Sequence, residues 1–133
     1  MKVELLKQFS IFLPNRPGAL ARLARLLSEK NVNILGIASE VRDDSGMVRI
    51  AVGGDANVSG ILSAAGFASV ETTLISVEVG DRPGELFKVA QALADGKVNI
   101  TTVYGTATVG PTSRLLINAE SPEKARMALD KLV

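Results

Sequence analysis

At 133 residues the chain can form one average domain or two small ones, and 47% hydrophobic content without Trp requires a core of Val, Ile, Leu and Ala. Fifteen Lys and Arg against 14 Asp and Glu leave a formal charge of +1, which gives no strong field for nucleic acid or an anionic membrane. His and Cys are absent, so disulfides, thiol chemistry and the usual bases, nucleophiles and zinc ligands are missing, and no run of about 18 apolar residues spans a membrane.

The N-terminus, MKVELLKQ, interrupts its apolar residues with charges and lacks the long apolar region of a signal peptide, so a cytoplasmic protein is expected. Lys2–Leu13 reads as one long strand, with Val3, Leu5, Phe9, Ile11 and Leu13 on one parity. The loop Pro14–Pro17 leads into a helix from Pro17 or Gly18 to Lys30, with Pro at the helix start. Its expected apolar face is Leu20, Leu23, Ala24 and Leu27, with Arg22, Arg25 and Glu29 on the wet side, and Asn31 ends it. Asn33–Arg42 is a strand, Asp43-Asp44-Ser45-Gly46 a hairpin turn, and Met47–Val52 the returning strand. Val58–Ala65 is a short helix with Gly66 after its end.

Ala68–Val79 is a second long strand whose parity shifts near Leu74-Ile75, as a bulge or a passage between sheets would cause. A loop over Gly80–Pro83, a helix over Gly84–Ala94 with face Leu86, Val89, Ala90 and Leu93, and a strand over Asn99–Thr108 follow. Val109-Gly110-Pro111 makes a turn, Ser113–Asn118 a strand and Ser121–Leu132 a helix, with Ser121 as N-cap and Pro122 at the first helical position.

A repeat organises all of this. Asn15-Arg16-Pro17-Gly18 recurs 66 positions later as Asp81-Arg82-Pro83-Gly84, and Val32-Asn33-Ile34 recurs as Val98-Asn99-Ile100. Each copy is β-α-β-β-α followed by a strand, which is the α+β, ferredoxin-like plan with helices on one face of an antiparallel sheet. Module one covers 1–66 and takes its fourth strand from 67–74; module two covers 75–133 and has no strand downstream. Because Lys2–Lys7 overlays Ala68–Thr73, the N-terminal segment 2–7 is expected to fill that place, leaving no open edge there.

The strand-to-helix loop offers bare helix-start amides at the positive end of the helix dipole, which suits a carboxylate, and Gly18 and Gly84 admit a close approach. A simple tight connection would use the same residues. Arg16 and Arg82 read as solvated or packed over a helix end, Tyr104 and Met47 as core or interface fillers, and Arg42, Asp43 and Asp44 as a hairpin tip. Ser39 and Glu40 could reach a partner chain's pocket.

A strand, then (Asp/Asn)-Arg-Pro-Gly-x-Leu, a helix and Val-Asn-Ile opening the second strand resembles the ACT domain, a family of small regulatory modules that bind amino acids and related metabolites. The resemblance covers nearly the whole chain, twice, and is similar to stand-alone tandem ACT proteins that have no catalytic domain. It implies ligand contacts where the loop of one module faces the second-strand start of a neighbour. Those residues are Asn15, Gly18, Ala19 and Leu20 with Asn33, Ile34 and Leu35, and Asp81, Gly84, Glu85 and Leu86 with Asn99, Ile100 and Thr101. Helix amides would hold a ligand carboxylate, Asn15 or Asp81 would accept from its ammonium, and Asn33 or Asn99 can donate and accept. Asn15 departs from the usual Asp, and Glu85 competes for the amides of its own helix.

The resemblance further implies a non-catalytic, allosteric amino-acid sensor with no cofactor and no metal, a homodimer with pseudo-twofold modules, and a regulated partner enzyme. Ala19-Leu20 and Ile34-Leu35 point to an apolar side-chain pocket. Two rival readings are an acylphosphatase-like hydrolase using Arg16 or Arg82 with an Asn, and a structural or protein-interaction module without ligand. An RNA-binding version of the fold lacks exposed aromatics and basic charge.

Overall fold

A computed structural model describes residues 1–42, 45–106 and 111–132. In chain order the elements are β1 (Lys2–Pro14), α1 (Ala19–Glu29), β2 (Ile34–Arg42), β3 (Ser45–Val52), α2 (Val58–Ala64), β4 (Ser69–Gly80), α3 (Glu85–Asp95), β5 (Ile100–Thr106), β6 (Thr112–Ala119) and α4 (Pro122–Asp130). This is the tandem ferredoxin-like α+β plan read from the repeat. The expected tip residues Asp43 and Asp44, the end of the fifth strand at Ala107-Thr108, and Val109-Gly110 lie outside the described residues. Ser45 and Gly46, expected in the turn, open β3 instead. No helix among the described residues is long and apolar enough to cross a membrane.

The chain forms two compact units, Lys7–Thr72 and Met1–Leu6 with Thr73–Val133. In the Lys7–Thr72 unit the strand order is β2-β3-β1-β4. Phe12 N–H donates to Ala68 O (3.0 Å) and Gln8 Nε2 to Thr72 Oγ1 (3.3 Å), joining β1 to the start of β4. The core beneath comprises Phe9, Ile11 and Leu13 of β1, Val48, Ile50 and Val52 of β3, Leu23 and Leu27 of α1, and Val58 and Leu62 of α2. In the other unit the order is β1-β4-β6-β5. Ile75, Val77 and Val79 pack there with Val89, Leu93, Ile117, Ala125 and Leu129, while Val3 and Leu5 lie against the same cluster. β4 crosses from one unit to the other at Thr72–Thr73, beside the parity shift at Leu74-Ile75. Its pairing with β6 from Ile75 to Gly80 runs without a bulge.

Both long helices stop by one device. After Lys30, Asn31 takes φ 56°, Asn31 N–H donates to Ser28 O and Val32 N–H to Leu27 O. After Gly96, Lys97 takes φ 59°, with Lys97 N–H to Ala94 O and Val98 N–H to Leu93 O. These are Schellman caps, closed by the apolar contact of Val32 and Val98 with their cores. α2 ends likewise at Gly66, φ 85°.

The helix faces differ from expectation by a rotation. Leu20 is 47% and Leu86 55% exposed, and Ala24 is exposed; the inward stripes are Ala19, Leu23, Leu26 and Leu27, and Glu85, Val89, Ala92 and Leu93. The cause lies at the helix start. Arg16-Pro17-Gly18-Ala19 is a type II turn, with Pro17 at its second position, Gly18 at φ 86°, ψ −12°, and Ala19 N–H donating to Arg16 O (3.4 Å). Pro17 therefore precedes the helix instead of opening it, and the first inward position falls on residue 19. Gly84 repeats the geometry at φ 92°, ψ −11°.

Lys97 holds a left-handed conformation that disfavours a side chain with Cβ. Lys97→Gly should stabilise the protein by about 0.5–1 kcal/mol, and Asn31→Gly by less, since Asn tolerates this conformation. Chemical denaturation curves of the two variants check this. The grouping of Met1–Leu6 with Thr73–Val133 supports the N-terminal segment as fourth strand of module two. Deleting residues 1–6 should accelerate amide exchange in β4 beyond Thr73, in β6 and in α4; loosening confined to Lys7–Thr72 would contradict it.

Candidate functional site

The type II turn leaves each helix mouth without a side-chain cap. Neither Gly18 nor Gly84 is accompanied by a capping hydrogen bond from a side chain, and a Cβ built on either meets nothing within 4 Å. Glycine is thus required here by its positive φ, not by a neighbour pressed against it. Past each turn the backbone N–H groups of the first helical turn face outward at the positive end of the helix dipole.

The two mouths differ at one position. In module one, residue 19 is Ala and packs against the core. Arg16 is exposed and has no carboxylate partner among the described residues. A cavity of about 220 Å³ opens beside the turn, lined by Leu13, Pro14, Arg16, Gly18, Arg22 and Phe67 among others. Arg22 forms one wall: its guanidinium lies 4.6 Å from the Phe67 ring centroid and its Nη2 donates to Ala65 O (3.1 Å), an end carbonyl of α2.

In module two the equivalent residue is Glu85, which is buried. Arg82 Nε donates to its Oε1 at 2.7 Å, and Lys88 Nζ lies 3.7 Å from the same oxygen. The Arg82 hydrogen bond holds the Glu85 carboxyl below its ordinary value of 4.5, with desolvation opposing and Lys88 reinforcing the shift. Arg82 is folded over Gly80, where a Cβ would meet its Nε at 3.2 Å. Module two thus carries a carboxylate held by Arg82 and Lys88 in the first turn of its helix, where module one has Ala19.

The remaining predicted residues are placed as follows. Asn15 and Asp81 are exposed in the loops; Asp81 N–H donates to Pro111 O (3.0 Å). Leu20 and Leu86 point outward. Asn33 and Asn99 lie just before β2 and β5, and Asn99 Nδ2 donates to Glu120 Oε1 (3.1 Å). Ile34 and Ile100 pack on the two cores, Leu35 lies against Gly53, and Thr101 Oγ1 donates to Asn118 O (3.2 Å). Among the described residues no group of three or more Asp or Glu converges as a metal site.

Register shows which of these each module brings together. β1 pairs with β3 from Lys7↔Val52 to Pro14↔Ser45, and β2 enters opposite Val52 at Ile34. The loop after Pro14 and the second-strand start at Ile34 are therefore at opposite ends of the sheet, about 23 Å apart. Module two repeats this, since Gly80 pairs with Thr112 while Ile100 pairs with Ala119, seven residues away along β6. Each module carries half of the predicted contact set at each end and unites neither pair. Reading the sequence alone missed Arg22 and Phe67; the signal was Arg22 one helical turn beyond Gly18 and Phe67 in the apolar position that follows a helix-ending glycine.

An ACT domain family model matches residues 7–66 and 73–133. Among solved structures, a protein from Bacteroides thetaiotaomicron is similar at 26% identity and TM-score 0.87, covering 97% of this chain and 89% of that one. The ligand-free regulatory subunit of aspartate kinase from Thermus thermophilus shares the fold at 22% identity and TM-score 0.70, over 98% of this chain and 96% of its own. The corresponding subunit from Thermus flavus does so at 21% and 0.63, with the same coverage. No curated protein sequence matches significantly. ACT domains are regulatory amino-acid-binding modules, and with both halves matched to that family, over the segments whose turns and registers are described above, this chain belongs to the ACT domain family.

Proposed function

We propose that the protein is a non-catalytic sensor that binds a free amino acid or related carboxylate at the helix mouth of module one. The observation that carries this reading is the contrast between Ala19 and Glu85. Both mouths are uncapped, but module one has an adjoining cavity and an Arg16 with no carboxylate partner among the described residues, whereas in module two Arg82 is engaged by Glu85. The ligand carboxylate would accept from the α1 amides and Arg16, and its side chain would enter the cavity beside Leu13 and Phe67. Its ammonium would be met by groups at the second-strand start, Asn33 to Leu35, of an ACT module in a second copy of the chain. The 23 Å separation within a module supports that arrangement. Binding would then favour one orientation of paired chains, and that preference would be the signal passed to a partner enzyme. Family membership supports this regulatory output, and two regulatory subunits of aspartate kinase share the fold.

A thermal-shift screen of the twenty amino acids tests the reading. A ligand at 100 times its Kd adds about 2.7 kcal/mol of stability and raises Tm by several degrees. Ala19→Glu should abolish that rise while leaving the protein folded, because module two already accommodates the same carboxylate beside an Arg three residues earlier. No rise with any of the twenty would remove amino-acid sensing, and a rise that survives Ala19→Glu would move the site elsewhere.

Glu85→Gln tests the occupied mouth separately. A carboxyl whose folded pKa is depressed contributes stability above its unfolded value, near 4.5, and loses it as pH falls through the lower folded value. The variant should be less stable than wild type at neutral pH, and the gap should close below pH 4.5. Denaturant titrations across that range provide the measurement; a gap that does not change with pH would show that the ion pair contributes nothing.

A further inference from the structure

The 66-residue shift places Arg16, Ala19 and Arg22 of module one on Arg82, Glu85 and Lys88 of module two. In module two these three side chains converge. Arg82 Nε donates to Glu85 Oε1 at 2.7 Å, and Lys88 Nζ stands 3.7 Å from the same oxygen. Two cations, each three residues from the centre, thus flank one carboxylate.

Module one keeps both cations and has no carboxylate at the central position. Arg16, Ala19 and Arg22 all line the cavity of about 220 Å³ beside the turn, together with Leu13 and Phe67. No Asp or Glu lines it, and neither Arg has a carboxylate partner among the described residues. Arg22 is fixed at the wall by lying over the Phe67 ring, 4.6 Å from its centroid, and by Nη2 donating to Ala65 O at 3.1 Å. That hydrogen bond uses one of five guanidinium N–H donors. Covering Phe67 and capping α2 accounts for where Arg22 lies; it does not account for a second guanidinium on the same cavity.

Three kinds of ligand side chain can be compared in such a cavity. An apolar one would strip water from a guanidinium and return no hydrogen bond. A cationic one would meet two like charges. A carboxylate would accept from both arginines in charge-assisted hydrogen bonds. We propose that the module-one cavity selects an acidic amino acid, its side-chain carboxylate held between Arg16 and Arg22 as Glu85 is held between Arg82 and Lys88. Leu13 and Phe67 would take its methylene groups, and Arg16, with five donors, serves the α-carboxylate at the mouth as well. This deepens the helix-mouth reading and rests on it: the mouth recognises what all amino acids share, and Arg22 determines which one is preferred.

Isothermal titration calorimetry of the full chain with aspartate, asparagine, glutamate and glutamine tests this. One of the two acids should bind at least ~10-fold tighter than its amide. Arg22→Met keeps an apolar stem over Phe67 and removes the charge. It should weaken the acid at least ~10-fold and the amide little, so that the ratio of the two falls toward one. Arg22→Lys, the residue that module two carries at this place, should keep most of the ratio, and melts without ligand check that both variants are folded. An acid and amide that bind wild type alike would overturn acidic selection and leave the helix-mouth reading standing. A ratio that survives Arg22→Met, or is lost as fully in Arg22→Lys, would remove Arg22 from recognition and overturn it too. Absence of binding by any of the twenty amino acids would remove both readings together.

Discussion

The whole arrangement depends on a bend that only two residue types build well in succession. Proline supplies φ near −65° at the second position of a type II turn, and glycine supplies the positive φ at the third. Gly18 and Gly84 sit at 86° and 92° and serve at once as the third turn residue and as the residue from which the helix departs. Because glycine has no side chain, this junction cannot cap its own helix. A Ser or Asp N-cap, as Ser121 provides for α4, would satisfy those amides internally. Arg-Pro-Gly therefore joins strand to helix and leaves a polar end exposed in one step, and the residue after it determines what becomes of that end. Alanine leaves it open. Glutamate brings a charge of the sign a ligand would carry.

The same bend sets helix rotation, and this explains where the sequence misled. The period of apolar residues in α1 and α3 identified both helices, but Leu20 and Leu86, read as core, point outward, while Ala19 and Glu85 point inward. Leu23 and Leu27 are inward as read, while Ala19 and Leu26 take the inward places read for Leu20 and Ala24. Only the left-handed conformation of Gly18 places the first inward position at residue 19, and that is a three-dimensional fact which composition and spacing do not carry. The long strands and the Ser121-Pro122 cap were legible because alternation and capping are local. The repeat made the tandem plan legible, because two copies of a strand–loop–helix–strand unit leave few ways to bury their apolar faces. A buried Glu in a helix stripe was not legible, because its cost is removed by Arg82 three residues earlier, from a position that reads as a turn.

Antiparallel pairing imposes the second constraint. A strand that turns into a crossing helix and returns as an edge strand must begin that edge at the far end of the sheet. The loop at Asn15 and the strand start at Asn33 are thus kept apart by the length of β1, whatever side chains they bear. Residues that look like one constellation in sequence are two half-sites in space. On the proposed reading, a complete pocket would need a second module, and ligand binding and module association would become one equilibrium. That coupling needs no moving lid and no strained backbone; it follows from strand direction alone.

Duplication then allows the copies to diverge without altering the frame. Both cores, both Schellman ends and both turns are kept, while the copies differ at residue 19 against 85, 21 against 87 and 30 against 96. Each substitution in module two removes something module one offers the solvent and adds something else. Glu85 engages Arg82, Phe87 puts an aromatic ring on the outer helix face, and Gly96 lets Ala128 of α4 approach closely. The division of the chain into a copy with an open mouth and a copy with a decorated face follows from three side chains placed on a shared backbone.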